Sequence, residues 1–129
     1  MLEIIDYMLD DDYDYKSEIQ RLRTDAAFTV GSNPKGDYLS EAVQDGVLLG
    51  YASYSYVVSK RTGILSELVV AERSRRQGVG SELVRHFERS VAIFGATAVK
   101  LTSDSSANGF YDRLLFERRA RCEFYKSLE

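Results

Sequence analysis

The chain has 129 residues, 44% hydrophobic and 29% charged, with a net charge of −3. That length suits one domain with its own core and is short for two, and the charge gives no global pull toward nucleic acid or an acidic membrane. A single cysteine, Cys122, and a single histidine, His86, exclude an internal disulfide and argue against a structural zinc site.

The chain starts Met1-Leu2-Glu3-Ile4-Ile5-Asp6, without the basic and then long apolar pattern of a signal peptide. No apolar run approaches the roughly 20 residues of a membrane span, so cytoplasmic residence is the expectation. Leu2 to Ile5 reads as a short strand. Asp10, Asp11, Asp12, Asp14 and Glu18, interleaved with Tyr13 and Tyr15, form an acidic stretch. Acidic residues suit a helix N-terminus, which predicts a helix from about Asp12 to Arg23. Gly31, Ser32, Asn33, Pro34 and Gly36 are loop chemistry.

Tyr38 to Gln44 alternates Leu39, Glu41 and Val43 against Tyr38, Ser40 and Ala42, and Asp45-Gly46 follows, a hairpin signal. The β-prone run from Val47 to Val58 and the turn Ser59-Lys60-Arg61-Thr62-Gly63 lead into Ile64 to Val70. Together they predict a three-stranded antiparallel meander. Leu83, Val84 and Phe87 at helical spacing predict a helix from Gly80 to about Phe94, closed by Gly95. Ala98 to Thr102 reads as a strand, 107 to 115 as a helix, and Glu117 to Leu128 as one or two final strands. A meander joined to one strand-helix-strand crossover predicts a mixed sheet in an α/β (α+β) fold.

Arg75-Arg76-Gln77-Gly78-Val79-Gly80 lies where a strand gives way to a helix. Glycines at a helix mouth let backbone N–H groups approach an anion, the helix end adds positive potential, and the arginines add full charges. That combination suits a phosphate or diphosphate. A lone Gly-x-Gly is weak evidence and also serves close packing in any strand–helix turn.

Leu68-Val69-Val70-Ala71-Glu72-Arg73-Ser74-Arg75-Arg76-Gln77-Gly78-Val79-Gly80 resembles the acyl-CoA motif of the GNAT acetyltransferase superfamily. Ser103-Asp104-Ser105-Ser106-Ala107-Asn108-Gly109-Phe110-Tyr111-Asp112-Arg113-Leu114-Leu115-Phe116 resembles that superfamily's later Phe-Tyr…Leu-Gly-Phe segment. The resemblance runs from about Tyr38 onward. It implies a mostly antiparallel central sheet of six to seven strands flanked by helices. It further implies that the backbone of Leu68, Val69 and Val70 pairs with the pantetheine arm of acetyl-CoA, and that amides from Arg75 through Gly80 to Ser81 hold the diphosphate. Asp104 and Asn108 would also border the cofactor, and Tyr111 would protonate the leaving thiolate. Glu72 stands where proline is common. Asp104 replaces the usual asparagine, which removes a donor when ionised. Leu115 replaces the glycine of Leu-Gly-Phe, which predicts a different local turn if that position has positive φ.

Glu67 sits inside an apolar strand, where an unpaired buried carboxylate is costly, so it either faces water or serves a site. It is the candidate general base, with Glu41 and Asp104 as rivals. Strict alternation groups Glu67 with Leu65 and Val69, opposite Ser66, Leu68 and Val70. His86 reads as a solvated helix-surface residue. Arg113, Arg118, Arg119 and Arg121 could form a basic patch, but alternation splits the last three between faces. The tyrosine-rich strand from Tyr51 to Tyr56 suits either the core or a homodimer surface. The resemblance implies a primary amine acceptor, and an acidic, tyrosine-rich rim would favour a cationic one. No membrane, metal or nucleic-acid partner is expected. The rival readings are an acyl-CoA-binding regulatory module without catalysis, toxin-like acetylation of a protein or aminoacyl-tRNA amine, and a plain interaction domain.

Overall fold

The computed structural model describes residues 2–8, 37–75, 77–103, 108–120 and 123–129. The expected helix over 12–23, the acidic stretch, Arg76, Asp104, Arg121 and Cys122 lie outside them. The described residues form one sheet from β1 (Glu3–Met8), β2 (Tyr38–Gln44), β3 (Val47–Val57), β4 (Thr62–Val70), β5 (Ala98–Thr102), β6 (Glu117–Ala120) and β7 (Glu123–Ser127). Its strand order is β1-β2-β3-β4-β5-β7-β6. Only β4 and β5 run parallel. The helix α1 (Val79–Phe94) connects them, and α2 (Asn108–Arg113) follows β5. The mixed, mostly antiparallel α+β sheet expected from the sequence is the sheet observed.

Local chemistry accounts for the elements. Asp45 and Gly46 both take positive φ, 53° and 77°, the two-residue geometry whose twist matches the flanking strands. Along α1, Val79, Leu83, Val84, Phe87 and Val91 are buried, a stripe at helical period pressed on the sheet. At its end, Gly95 (φ 113°) donates to the Ala92 carbonyl at 3.0 Å and Ala96 to the Val91 carbonyl at 2.9 Å, a Schellman cap.

The end of α2 repeats that cap. Leu115 N–H donates to Asp112 O and Phe116 N–H to Tyr111 O, both at 3.1 Å, and Leu115 takes φ 69°. Leu115 therefore adopts the left-handed conformation for which leucine is a poor fit by sequence. Two hydrogen bonds and the burial of Phe116 outweigh a left-handed penalty of about 1–2 kcal/mol. The Leu115 side chain itself stays exposed.

The sheet separates two cores. On the α1 side, Ala42, Ala52, Tyr54, Leu65, Leu68 and Val70 join the buried stripe of α1, together with Tyr111, Phe116 and Phe124. On the other side, Leu39, Leu48, Tyr51, Val69 and Ala71 cluster. Leu65 breaks the alternation read from the sequence. The β3–β4 register steps from Ser53↔Glu67 to Tyr54↔Leu65, so Ser66 is an extra residue in β4. This β-bulge puts Leu65 on the α1 side with Leu68, while Glu67 and Val69 share the opposite face.

Candidate active site

The pairing of β4 with β5 runs from Thr62↔Ala98 to Leu65↔Leu101 and, among the described residues, ends there. β4 continues to Val70, so its stretch from Ser66 onward borders a gap where the parallel strands part. Leu68, Val69 and Val70 lie in this stretch with buried side chains, which leaves the backbone edge as the part able to meet a ligand.

β4 leads to the N-terminus of α1. Glu72–Ser74 form a single 3-10 turn, and the N–H of Arg75 donates back to Glu72 O at 3.2 Å. That amide is already used within the turn. Gly78 is the N-cap residue with φ 82°, and among the described residues no side chain caps the helix. The first-turn amides of an α-helix have no intrahelical acceptors. Here they stand at the positive end of a 16-residue helix. The two glycines do different work. A Cβ on Gly78 would meet nothing within 4 Å, whereas one on Gly80 would come to 3.3 Å from Phe110 Cζ and 3.5 Å from Val70 Cγ2. Gly78 thus makes the open left-handed turn. Gly80 lets the start of α1 close on β4 and α2. Gln77 is exposed and Ser81 half-buried at this mouth, a setting that fits a diphosphate.

Glu67 is 4% exposed, and Tyr51 donates its hydroxyl to Glu67 Oε1 at 2.6 Å. That hydrogen bond offsets part of the cost of burying the carboxylate. Tyr51 is fully buried, pairs across the strands with Glu41 on one side and Val69 on the other, and so lies between the two carboxylates. Glu41, also buried, shares this face two strands from Glu67. The role of Tyr51 was not legible in the sequence, because the bulge at Ser66 sets which β4 side chain it meets. Tyr51 and Tyr54 are core residues, and Tyr56 is half-buried against the α1-side core.

Tyr111, on α2, is fully buried among Phe110, Phe116 and Phe124, with ring centroids 4.9, 5.6 and 5.3 Å away. It belongs to the α1-side core, so Glu67 and Tyr111 stand on opposite faces of the sheet. Asn108 opens α2.

His86 is not at the gap. Its Nε2 lies 2.7 Å from Asp6 Oδ1, which also accepts from Ser40 Oγ at 2.6 Å, and Ser40 Oγ lies 2.9 Å from Tyr54 Oη. Burial raises the Tyr54 hydroxyl above its ordinary pKa of 10.0, against the opposing hydrogen bonds of Ser40 and Ser90. This chain of polar groups ties α1 to the edge strand β1. Lys126 does the same at the other end, bonding Glu88 Oε1 at 2.9 Å and Leu114 O at 3.0 Å.

Among the described residues, no group of three or more His, Cys, Asp or Glu could hold a metal ion, and no helix is long and apolar enough to cross a membrane. The model of the acetyltransferase (GNAT) family matches residues 2–116. An IAA acetyltransferase from Bacillus cereus superposes with a TM-score of 0.71 at 14% identity, over 98% of this chain and 100% of that one. N-acetylglutamate synthase from Neisseria gonorrhoeae, complexed with coenzyme A and N-acetyl-glutamate, gives 0.76 at 16% identity; it covers all of this chain but 35% of its own length. A GNAT-family acetyltransferase from Staphylococcus aureus gives 0.65 at 15% identity, over 71% of this chain and 68% of that one. No curated protein matches by sequence.

Proposed function

Because the chain belongs to the GNAT acetyltransferase family, we propose that it moves the acetyl group of acetyl-CoA directly onto a primary amine within a ternary complex. The observation that carries this reading is the uncapped N-terminus of α1 at Gly78, set beside a β4 edge that β5 has left behind. Amides from Gln77 to Ser81 hold the diphosphate, and the edge of Leu68 to Val70 aligns the pantetheine arm as an added strand would. Arg75 and Arg76 add charge, and Asp104 and Asn108 border the cofactor.

Bound acetyl-CoA supplies an activated thioester, whose carbonyl carbon gains the amine nitrogen as the C–S bond breaks, giving an N-acetyl amine and CoA thiol. Glu67, on the face away from α1, takes the proton the amine loses. Tyr111, on the α1 face, gives a proton to the departing sulfur; a phenol with a pKa of about 10 suits a thiolate of similar basicity. A base and an acid on opposite sides of the gap fit an amine arriving from one side and a thiolate leaving toward the other. No acyl-enzyme is needed.

The test is thiol release with an amine panel, alongside thermal stabilisation by acetyl-CoA. Tyr111→Phe should lose turnover while keeping cofactor affinity. Unchanged turnover would remove its acid role, and absence of acetyl-CoA binding would remove the whole reading.

A further inference from the structure

We propose that the acceptor is a small amine that also carries a carboxylate, seated in a groove on the sheet face away from α1. The proposal rests on the acetyl-transfer reading and names the substrate class for the same gap.

The groove has a volume of 360 Å³, and its polar lining is Ser66, Lys100, Thr102, Arg119, Glu123 and Tyr125. Strand register arranges these residues in two rows. In the outer row Ile64 pairs with Lys100 and Lys100 with Tyr125. The Arg119 guanidinium lies over the Tyr125 ring, 3.6 Å from its centroid. In the inner row Thr102 pairs with Glu123, next to the bulged Ser66 where β4 and β5 part.

Charge therefore changes along the groove. The outer row has two cations and one carboxylate, Glu117, which pairs with Tyr125, and the inner row and the gap have two carboxylates, Glu123 and then Glu67. Arg119 also contacts Glu117 at 3.5 Å, but both side chains are more than half exposed. Such a pair holds weakly and leaves guanidinium donors for a ligand. The stacked, planar guanidinium suits a carboxylate's two oxygens, with the Lys100 ammonium beside it. An acceptor lying along this gradient places its carboxylate on Lys100 and Arg119 and its amine past Glu123 at the gap. Rows two residues apart are separated by roughly 7 Å, which suits several methylenes between the two charges.

The test compares δ-aminovalerate, pentylamine and cadaverine as acceptors. These share a five-carbon frame and differ at the far end, which is a carboxylate, a methyl or a second ammonium. We expect the KM for δ-aminovalerate to be about tenfold or more below that for pentylamine, the effect of one charge-assisted contact. The double variant Lys100→Ala/Arg119→Ala should bring that ratio close to unity, and Lys100→Glu should turn the preference toward cadaverine. Acetyl-CoA affinity, read by thermal shift, should match the wild type in both variants. Calorimetric titration of δ-aminovalerate into the protein, with and without CoA, reads the groove without turnover. Pentylamine used as well as δ-aminovalerate would overturn the proposal, as would a preference that survives the double variant. Acetyl-CoA binding with no δ-aminovalerate binding would sink the groove and leave the acetyl-transfer reading standing. Loss of acetyl-CoA binding alone would sink that reading, with the titration still deciding the groove.

Discussion

The two faces of the sheet are built for different ends. The face under α1 is filled by large apolar side chains, and the polar groups Asp6, Ser40, Tyr54 and His86 bond one another across four elements. The opposite face buries two carboxylates, Glu41 and Glu67, around Tyr51, and beyond the gap it carries exposed Lys100 and Arg119. Burying charge costs stability. A sheet that concentrates that cost on one face, beside the point where its strands separate, keeps its stability on the other.

This contrast can be broken by substitution. The largest effect should come from Phe87→Ala. Phe87 is fully buried, with its ring 5.1 Å from that of Tyr54, and its loss should cost about 3–5 kcal/mol in urea unfolding. The fraction still folded should keep its KM values; a changed acceptor KM would mean the faces are not separate. Glu67→Gln should do the reverse. Its amide oxygen can still accept from Tyr51, so stability should hold while kcat falls by about 100-fold, the usual weight of a general base. Full activity would return the base role to Glu41 or Asp104.

Tyr54→Phe should cost about 1 kcal/mol through lost hydrogen bonding. The raised folded-state pKa of Tyr54 sets the pH behaviour. Folding favours the neutral phenol, so its contribution is complete below the unfolded value of 10.0 and is lost as pH rises through the raised folded value. The stability gap between wild type and Tyr54→Phe should therefore narrow in alkaline solution. A gap that widens would contradict the burial argument.

The smallest effect compares the two helix ends. Gly95 and Leu115 occupy the same cap position. Leu115→Gly should stabilise by less than about 1 kcal/mol, because relief of left-handed strain is partly offset by the greater freedom of the unfolded chain.

What could be read from the sequence was what depends on neighbours in the chain. The Asp45-Gly46 hairpin, the β2 and β5 boundaries and the Gly95 cap lie where local chemistry put them. The start of β4 was less legible, because Thr62 and Gly63 join it through pairing with β3 and β5. Two features carried no local signal. The bulge at Ser66 follows from the β3–β4 register and reverses the face of Leu65 relative to Glu67. The groove unites residues of β4, β5, β6 and β7 that are far apart in sequence. The Leu115 turn was misread for a related reason: the penalty of one residue was visible, but not the bonds that offset it.

The most direct test of the central claim is calorimetric titration of acetyl-CoA into the wild type and Gly78→Asp. An aspartate at that position would set a negative charge where the diphosphate is to lie, at the cost of the left-handed strain that the glycine avoids at φ 82°. The account predicts saturable binding to the wild type, and about a tenfold or greater loss of affinity in the variant, whose stability falls by no more than about 1–2 kcal/mol, the penalty of one left-handed residue. Equal affinity in the two proteins would contradict it.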